Sequence, residues 1–481
     1  MNEAQIARIV EQVVANLSGG GAAPSSGVAA APRAPLARTS PSPSSEGRGV
    51  HASVEAAVAA AQRAFGELRA CPLADRARYI AALREVTLSE LEVISQMAVQ
   101  ETGLGRYTDK LAKNRLVVEK TPGTEALVPS ALTGDHGLTL TEWAPYGVIG
   151  SITPCTNPTE TILNNGIGML AAGNAVVFNT HPSAKRVSAY FIDKLNAAIE
   201  RCGGPSNIFN CVADPTIASA EGLMKHPAVR LLTVTGGGGV VKAAMASGKR
   251  AIAAGPGNPP VVVDETADIA KAGRDIVFGA SLDNNIICIV EKEVVAVADI
   301  ADALKRELCA NNAVEIKGHD IKRLEKLLIT PDHHVNRDFI GKDAALILAA
   351  AGIKVPDTTR LAFAEVPEDH PFVQHEMLMP VIGFVRVRDV DEAIECAVRV
   401  EHGYGHTAVM HSTNINALGK MARACNTSIF VKNAPSAAGT GLGGEGFTSW
   451  TIASPTGEGM TYAPHFARAR RCVLKDNFRI V

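Results

Sequence analysis

Between residues 147 and 247 of this 481-residue chain, short apolar runs alternate without a break with amphipathic stretches. Strand-like segments at 147–152, 175–179, 208–212 and 231–235 are each followed by a helical pattern, at 159–172, 184–199, 217–225 and 240–247. Parallel strands need a crossover, and a helix in each crossover covers the sheet faces. The alternation therefore predicts an α/β chain with a parallel, doubly wound sheet. A second alternating set starts near Val261 and runs past Val409, while 54–65 and 76–97 upstream have helical period. The length fits two or three folded units. Aromatic residues are only 4% of the chain, so Ala, Val, Ile and Leu must fill its cores.

The first 49 residues read differently. In 1–18, Ile6, Ile9, Val10, Val13, Val14 and Leu17 fall on one helical stripe, which predicts a short amphipathic helix. Residues 19–49 carry Gly19–Gly21 and five prolines among Ala and Ser, a composition that cannot offset its ordering entropy and predicts a disordered linker. A lone helix on such a tether is marginal by itself, and is expected to fold in a partner's groove.

Charge excludes some partners. The formal net charge is −2, with no electrostatic case for nucleic acid or an anionic membrane. No apolar run reaches the length of a membrane span, and the N-terminus lacks the pattern of a secretory leader. The nine cysteines are odd in number and none is paired as CxxC, which argues for a reduced chain with neither a disulfide framework nor a metal site.

One cysteine stands apart. Cys288 ends Asp283-Asn-Asn-Ile-Ile-Cys288, between a helical segment at 269–280 and a strand at 292–297. A nucleophile on such a turn is exposed yet rigidly placed, and two asparagines in an apolar run predict an unusual backbone. Two other segments join strands to helices. In Thr153-Pro-Cys-Thr-Asn-Pro158, Asn157 could aim its NH₂ at a developing oxyanion, or simply turn the chain before proline. In Thr235-Gly-Gly-Gly-Gly239 the glycines let backbone approach a cofactor, or make a plain turn.

In order and spacing, these segments and Glu376-Met-Leu-Met-Pro380 resemble the aldehyde dehydrogenase superfamily over residues 50–481. Asp283-Asn-Asn-Ile-Ile-Cys288 followed by Glu291-Lys-Glu-Val294, then His402-Gly-Tyr-Gly-His-Thr-Ala408, Pro455-Thr-Gly-Glu-Gly459 and Arg470-Arg-Cys-Val-Leu474, resemble its CoA-acylating branch from bacterial microcompartments. The resemblance implies a Rossmann-like cofactor domain over 50–257, with a β dimerisation arm near 133–145 that includes 138–143. It implies a catalytic domain over 258–445, and a segment 446–481 returning to the cofactor domain and the oligomer interface. Cys288 then corresponds to the nucleophile and Asn157 to the oxyanion amide. Glu376 corresponds to the carboxylate on the nicotinamide ribose. Thr153, Pro154, Asn179, Gly255 and Thr235, Gly236, Gly237 and Gly238 line the NAD site. Asn179 stands where hydrolytic relatives carry a lysine, which leaves NAD against NADP open.

The same resemblance implies a mechanism. Hydrolytic relatives place a water-activating glutamate where this chain reads Ile252-Ala-Ala-Gly-Pro-Gly-Asn258, with Ala253 nearest in register. Without that base, a Cys288 thioester waits for coenzyme A. The expected reaction is oxidation of a short aldehyde to its acyl-CoA, in the lumen of a microcompartment, by a homodimer or homotetramer tethered to shell or cargo proteins through residues 1–18. The ending Phe478-Arg-Ile-Val481 tilts the substrate toward propionaldehyde over acetaldehyde. A hydrolytic enzyme and a non-catalytic cargo or scaffold protein are the alternatives. His406 could take the CoA thiol proton or be structural, Cys155 could line the pocket or pack, and Arg470 and Arg471 could meet CoA phosphates or an interface.

Overall fold

The computed structural model describes residues 47–481, so the 1–18 stretch and residues 19–46 lie outside the described residues. Residues 47–49, read from sequence as linker, already belong to the fold. The Arg48 N–H donates to Asp193 Oδ1 at 2.8 Å, and the Gly49 carbonyl accepts from the Cys211 N–H at 2.7 Å.

The first sheet has six strands, all parallel. In order across it they are Val50–His51, Phe209–Val212, Ala175–Asn179, Val148–Ile152, Val229–Thr235 and Ala251–Ala254. The four central strands and their helices lie within two or three residues of the expected places. Upstream, the expected helix at 76–97 is two helices, Leu73–Ser89 and Leu91–Thr102, broken at Glu90, whose ψ of 3° leaves the helical region. No Pro or Gly marks that break, so local propensity gave no sign of it.

The second sheet has seven parallel strands. In order they are Ala313–Ile316, Leu361–Glu365, Val381–Val387, Glu293–Val297, Pro260–Val263, Thr407–His411 and Ile429–Lys432. Its side chains alternate between two cores. Val261, Val263, Val294, Ala296, Phe363 and Phe384 join the core of the first sheet, whereas Val262, Val295, Ala362, Ala364 and Val385 pack on the other side. Side chains alternate along a strand, so one sheet can seal against its own helices and against the neighbouring domain.

A third, three-stranded antiparallel sheet stands off the body. Gly137–Pro145 is its middle strand, between Ser130–Gly134 and the C-terminal strand Ala467–Lys475. The arm thus begins three residues before 133, and the C-terminal strand completes it. Arg470 and Arg471 lie exposed on it, opposite Glu142 and Thr141.

Asn174 fastens the arm's base to the first sheet. It is fully buried; its Oδ1 accepts from the Tyr146 and Gly147 N–H groups at 2.8 and 3.0 Å, and its Nδ2 donates to the Met169 and Phe466 carbonyls at 3.1 and 2.9 Å. Each buried polar group left without a partner costs about 1–3 kcal/mol. Asn174→Ala is therefore expected to lower unfolding free energy by roughly 3 kcal/mol or more, read as a drop in the urea midpoint. An unchanged midpoint would show that water replaces the amide.

Candidate active site

Cys288 lies at the end of a turn whose backbone is left-handed three times over. Helix Ile269–Ser281 runs into Asp283, Asn284 and Asn285, with φ of 50°, 54° and 65°. Asp and Asn tolerate this region better than other side chains, because their short polar groups bond locally. Here those groups are all engaged. Asn284 Nδ2 donates to the Gly341 carbonyl at 2.9 Å, and Asn285 Nδ2 donates to the Ala280 and Glu291 carbonyls at 2.7 and 2.9 Å. Lys292 Nζ closes the turn from below, donating to Asn285 O and Oδ1 at 2.7 Å each and to Ile287 O at 3.2 Å. From Gly279 to Val297 every residue is buried except Cys288. Cys288 alone in this run keeps partial exposure.

Asp283 ties this turn to the first domain. Its fully buried carboxylate accepts from Lys110 Nζ at 2.9 Å and Lys113 Nζ at 2.5 Å, both on helix Tyr107–Lys120, and from the Arg106 N–H at 2.7 Å. Burial pushes Asp283 up, but the two ammonium groups outweigh it and hold the carboxyl below its ordinary range. Lys113 also lies 3.0 Å from Glu160, so two buried cations meet two buried anions. Lys113 reaches one more group, Asn157 Oδ1, at 2.6 Å. Asn157 caps helix Pro158–Ala171 and is buried.

Apart from Glu376, which precedes strand Val381–Val387 of the second sheet, the expected cofactor residues gather at the C-terminal ends of the first sheet. Thr153 and Pro154 follow strand Val148–Ile152, and Thr235–Gly238 follow its neighbour Val229–Thr235. The strand order reverses between these two, the place where open parallel sheets bind ligands. Two observations fit a nucleotide there. Thr153 Oγ1 is buried without a partner, and a Cβ on Gly237 or Gly238 would meet nothing within 4 Å at the start of helix Gly238–Met245. Asn179 ends the next strand and its Oδ1 accepts from Ser219 Oγ at 2.6 Å. Thr235 shares a hydrogen bond of 2.8 Å with Thr451, and Gly255 lies against Pro455, which brings the C-terminal segment over the cofactor ends.

The run from Ile252 to Asn258 passes beside the Cys288 backbone. A Cβ at Gly257 would fall 2.8 Å from the Cys288 carbonyl oxygen and 2.9 Å from the His406 ring. Ala253 is fully buried in the shared core with its N–H on Thr456 Oγ1, and it brings a methyl group where the hydrolytic pattern has a carboxylate.

Burial first, and then the negative charge of Glu376, push the Cys288 thiol up to about 12, against the opposing pull of Lys292. Burial also raises Glu376, while Lys292 and the Gly257 N–H favour its charged form. Lys292 itself is lowered to about 8 by burial. His406 is driven down to about 4 by burial and is neutral at pH 7; its Nδ1 lies 2.9 Å from Thr407 Oγ1 and its Nε2 is buried without a partner. Cys155 packs with Met97, Ala184 and Val187, which makes it a filler.

Lys110, Lys113, Glu160 and Lys292 were not singled out as site residues from sequence. Lys110, Lys113, Asn114 and Val117 share a helical stripe, and polar residues on an inward stripe were the available signal. Two open clefts around Tyr146, Arg250 and Arg468 share no lining residue with this site. Among the described residues no group of His, Cys, Asp and Glu could hold a metal ion, and no helix is long and apolar enough to cross a membrane.

Known proteins are similar to this chain in sequence and fold. The model of the aldehyde dehydrogenase family matches residues 45–326 and 359–449. The acetylating acetaldehyde dehydrogenase EutE of Salmonella typhimurium is 52% identical over 439 residues, 90% of this chain and 94% of that one. A propionaldehyde dehydrogenase of Rhodopseudomonas palustris, solved with bound CoA and an acylated cysteine, is 50% identical with a TM-score of 0.89, covering 90% of this chain and 99% of that one. A propionaldehyde dehydrogenase from the fucose utilisation bacterial microcompartment of Clostridium phytofermentans is 46% identical, TM-score 0.89, covering 90% and 100%. With a matched family model over most of its length and relatives of this identity, the chain belongs to the aldehyde dehydrogenase family, among its CoA-acylating members.

Proposed function

We propose that this enzyme oxidises a two- or three-carbon aldehyde to its acyl-CoA through a thioester on Cys288. The observation that carries the reading is the backbone run beside the thiol, which holds no carboxylate to activate water. The nicotinamide cofactor, NAD in this reading, supplies the hydride acceptor, held by Thr153, Pro154, Asn179, Thr235, Gly236, Gly237, Gly238, Gly255 and Glu376. The other steps belong to the chain. Cys288 Sγ, the partly exposed group of its turn, gives its proton to solvent and bonds the aldehyde carbon, whose C=O π electrons move onto oxygen. The oxygen gains negative charge, met by the Asn157 NH₂ and the Cys288 N–H; one such donor is worth about 3 kcal/mol. Lys292 keeps its donors on the turn carbonyls, so it sets the shape and positive potential of the turn rather than acting as a base. After the hydride leaves, the thiol of CoA attacks the thioester. Neutral His406 offers Nε2 as acceptor for that proton, and Cys288 departs as thiolate.

The C-terminal residues Phe478-Arg-Ile-Val481 favour propionaldehyde, and the higher identity to an acetylating enzyme favours acetaldehyde. Comparison of kcat/KM for the two aldehydes separates these readings. Residues 1–18 dock on a shell or cargo protein, which would place the enzyme in a microcompartment lumen. The exposed Leu132, Trp143, Val473 and Leu474 of the arm support burial against a second copy, in a dimer or tetramer.

Because folding raises the thiol, reactivity is present only as pH climbs toward about 12. In the cofactor-free protein, carbamidomethylation of Cys288 by iodoacetamide is expected to speed up about tenfold per pH unit from roughly pH 7 to 9; a plateau below that range would reveal a preformed thiolate. Without CoA, a stopped-flow NADH trace with propionaldehyde is expected to show a single turnover per site, then near arrest until CoA is added. Cys288→Ala should give no burst, and mass spectrometry should find propionyl-CoA; rapid multiple turnover to propionate would restore the hydrolytic alternative. Deleting residues 1–18 is expected to leave kcat and KM unchanged and to release the enzyme from purified compartments. Continued co-purification with shells would refute the docking role.

A further inference from the structure

We propose that Lys113 is a positioning residue for the oxyanion site: one buried ammonium fixes which way the Asn157 amide faces and locks that amide to the turn carrying Cys288. This rests on the assignment of Asn157 above. An asparagine amide is nearly symmetric in shape, so packing alone does not distinguish its oxygen from its nitrogen. Lysine removes the ambiguity, because an ammonium only donates. Lys113 Nζ sits 2.6 Å from Asn157 Oδ1, and rotating the amide would press NH₂ against that ammonium. The oxygen is thus held on the Lys113 side and Nδ2 faces away. Nδ2 spends one hydrogen on Thr156 Oγ1 at 3.2 Å, and among the described residues it makes no other hydrogen bond. One N–H is left for an oxyanion.

The same ammonium reaches Asp283 Oδ2 at 2.5 Å, five residues before Cys288 in the left-handed turn. Glu160 lies 3.0 Å away, and the Trp450 ring, 5.3 Å from Nζ, covers another side. Nζ is fully enclosed, so water does not compete for these positions. Lys110 holds Asp283 too, but its other contact is the Thr156 carbonyl. Lys113 alone bridges the amide and the turn.

The test is a double-mutant cycle on the single-turnover rate of NADH formation, using wild type, Lys113→Met, Asn157→Ala and the double variant. Asn157→Ala is expected to slow the burst roughly 100- to 1,000-fold, as loss of an oxyanion donor does. Lys113→Met should slow it more than about tenfold, yet the double variant should stay within about twofold of Asn157→Ala, because a residue that acts through the amide has nothing left to do once the amide is gone. Lys110→Met serves as the comparison: it breaks the other Asp283 ion pair without touching the amide, and its effect should multiply with that of Asn157→Ala. If Lys113→Met does not fold, the cycle is run with Glu160→Leu added throughout, which removes the carboxylate that the substitution orphans. Multiplicative losses for Lys113→Met and Asn157→Ala overturn the positioning role and leave the oxyanion assignment standing. A burst unaffected by Asn157→Ala overturns both.

Discussion

The site depends on a closed group of four buried charges. Lys110 and Lys113 come from the helix Tyr107–Lys120, Glu160 from the helix that Asn157 caps, and Asp283 from the turn before Cys288. Burying any one alone would cost several kcal/mol. Together the charges cancel, and the geometry that cancels them spans both α/β domains. The turn that carries Cys288 is thereby fixed to the domain of the first sheet. Removal of one member leaves an uncompensated charge, so this group acts as a registration device as well as a set of contacts.

The second sheet, packed on both faces, makes that registration rigid. Alternate side chains of Pro260–Val263 and Glu293–Val297 enter the core of the first sheet, and the intervening ones enter a core of their own. Strand Glu293–Val297 begins five residues after the thiol. Displacing Cys288 would therefore require repacking a strand that is buried on both faces, in an interior too dense to yield gradually.

Chemically, the surroundings of Cys288 offer one neutral imidazole and, in the adjacent run from Ile252 to Asn258, no carboxylate. The thiol is held protonated by burial, His406 is held neutral by burial, and Lys292 is occupied by the carbonyls of the turn. Such a site suits attack by a second thiol, which is far more acidic than water and needs less help to lose its proton.

Much of this was legible in residue order. Period-2 and period-3.6 patterns located the central strands and helices of the first sheet, because core burial imposes them locally. Asn284 and Asn285 before Cys288 announced a special backbone, because asparagine tolerates the left-handed region better than most side chains; that Asp283 joins them only the structure showed. That the run from Ile252 to Asn258 holds no carboxylate was equally visible. Other features were not. Nothing near Lys113 in sequence names its partners, which lie 44 and 170 residues away. Cys288 and His406 are separated by 118 residues yet meet across Gly257, and the strand Ala467–Lys475 completes an arm begun at Ser130. Local sequence fixes backbone preference and the face a residue presents. Which buried charge meets which, and so which way the Asn157 amide faces and how far the thiol is raised, is decided only when distant segments close over one another and exclude water.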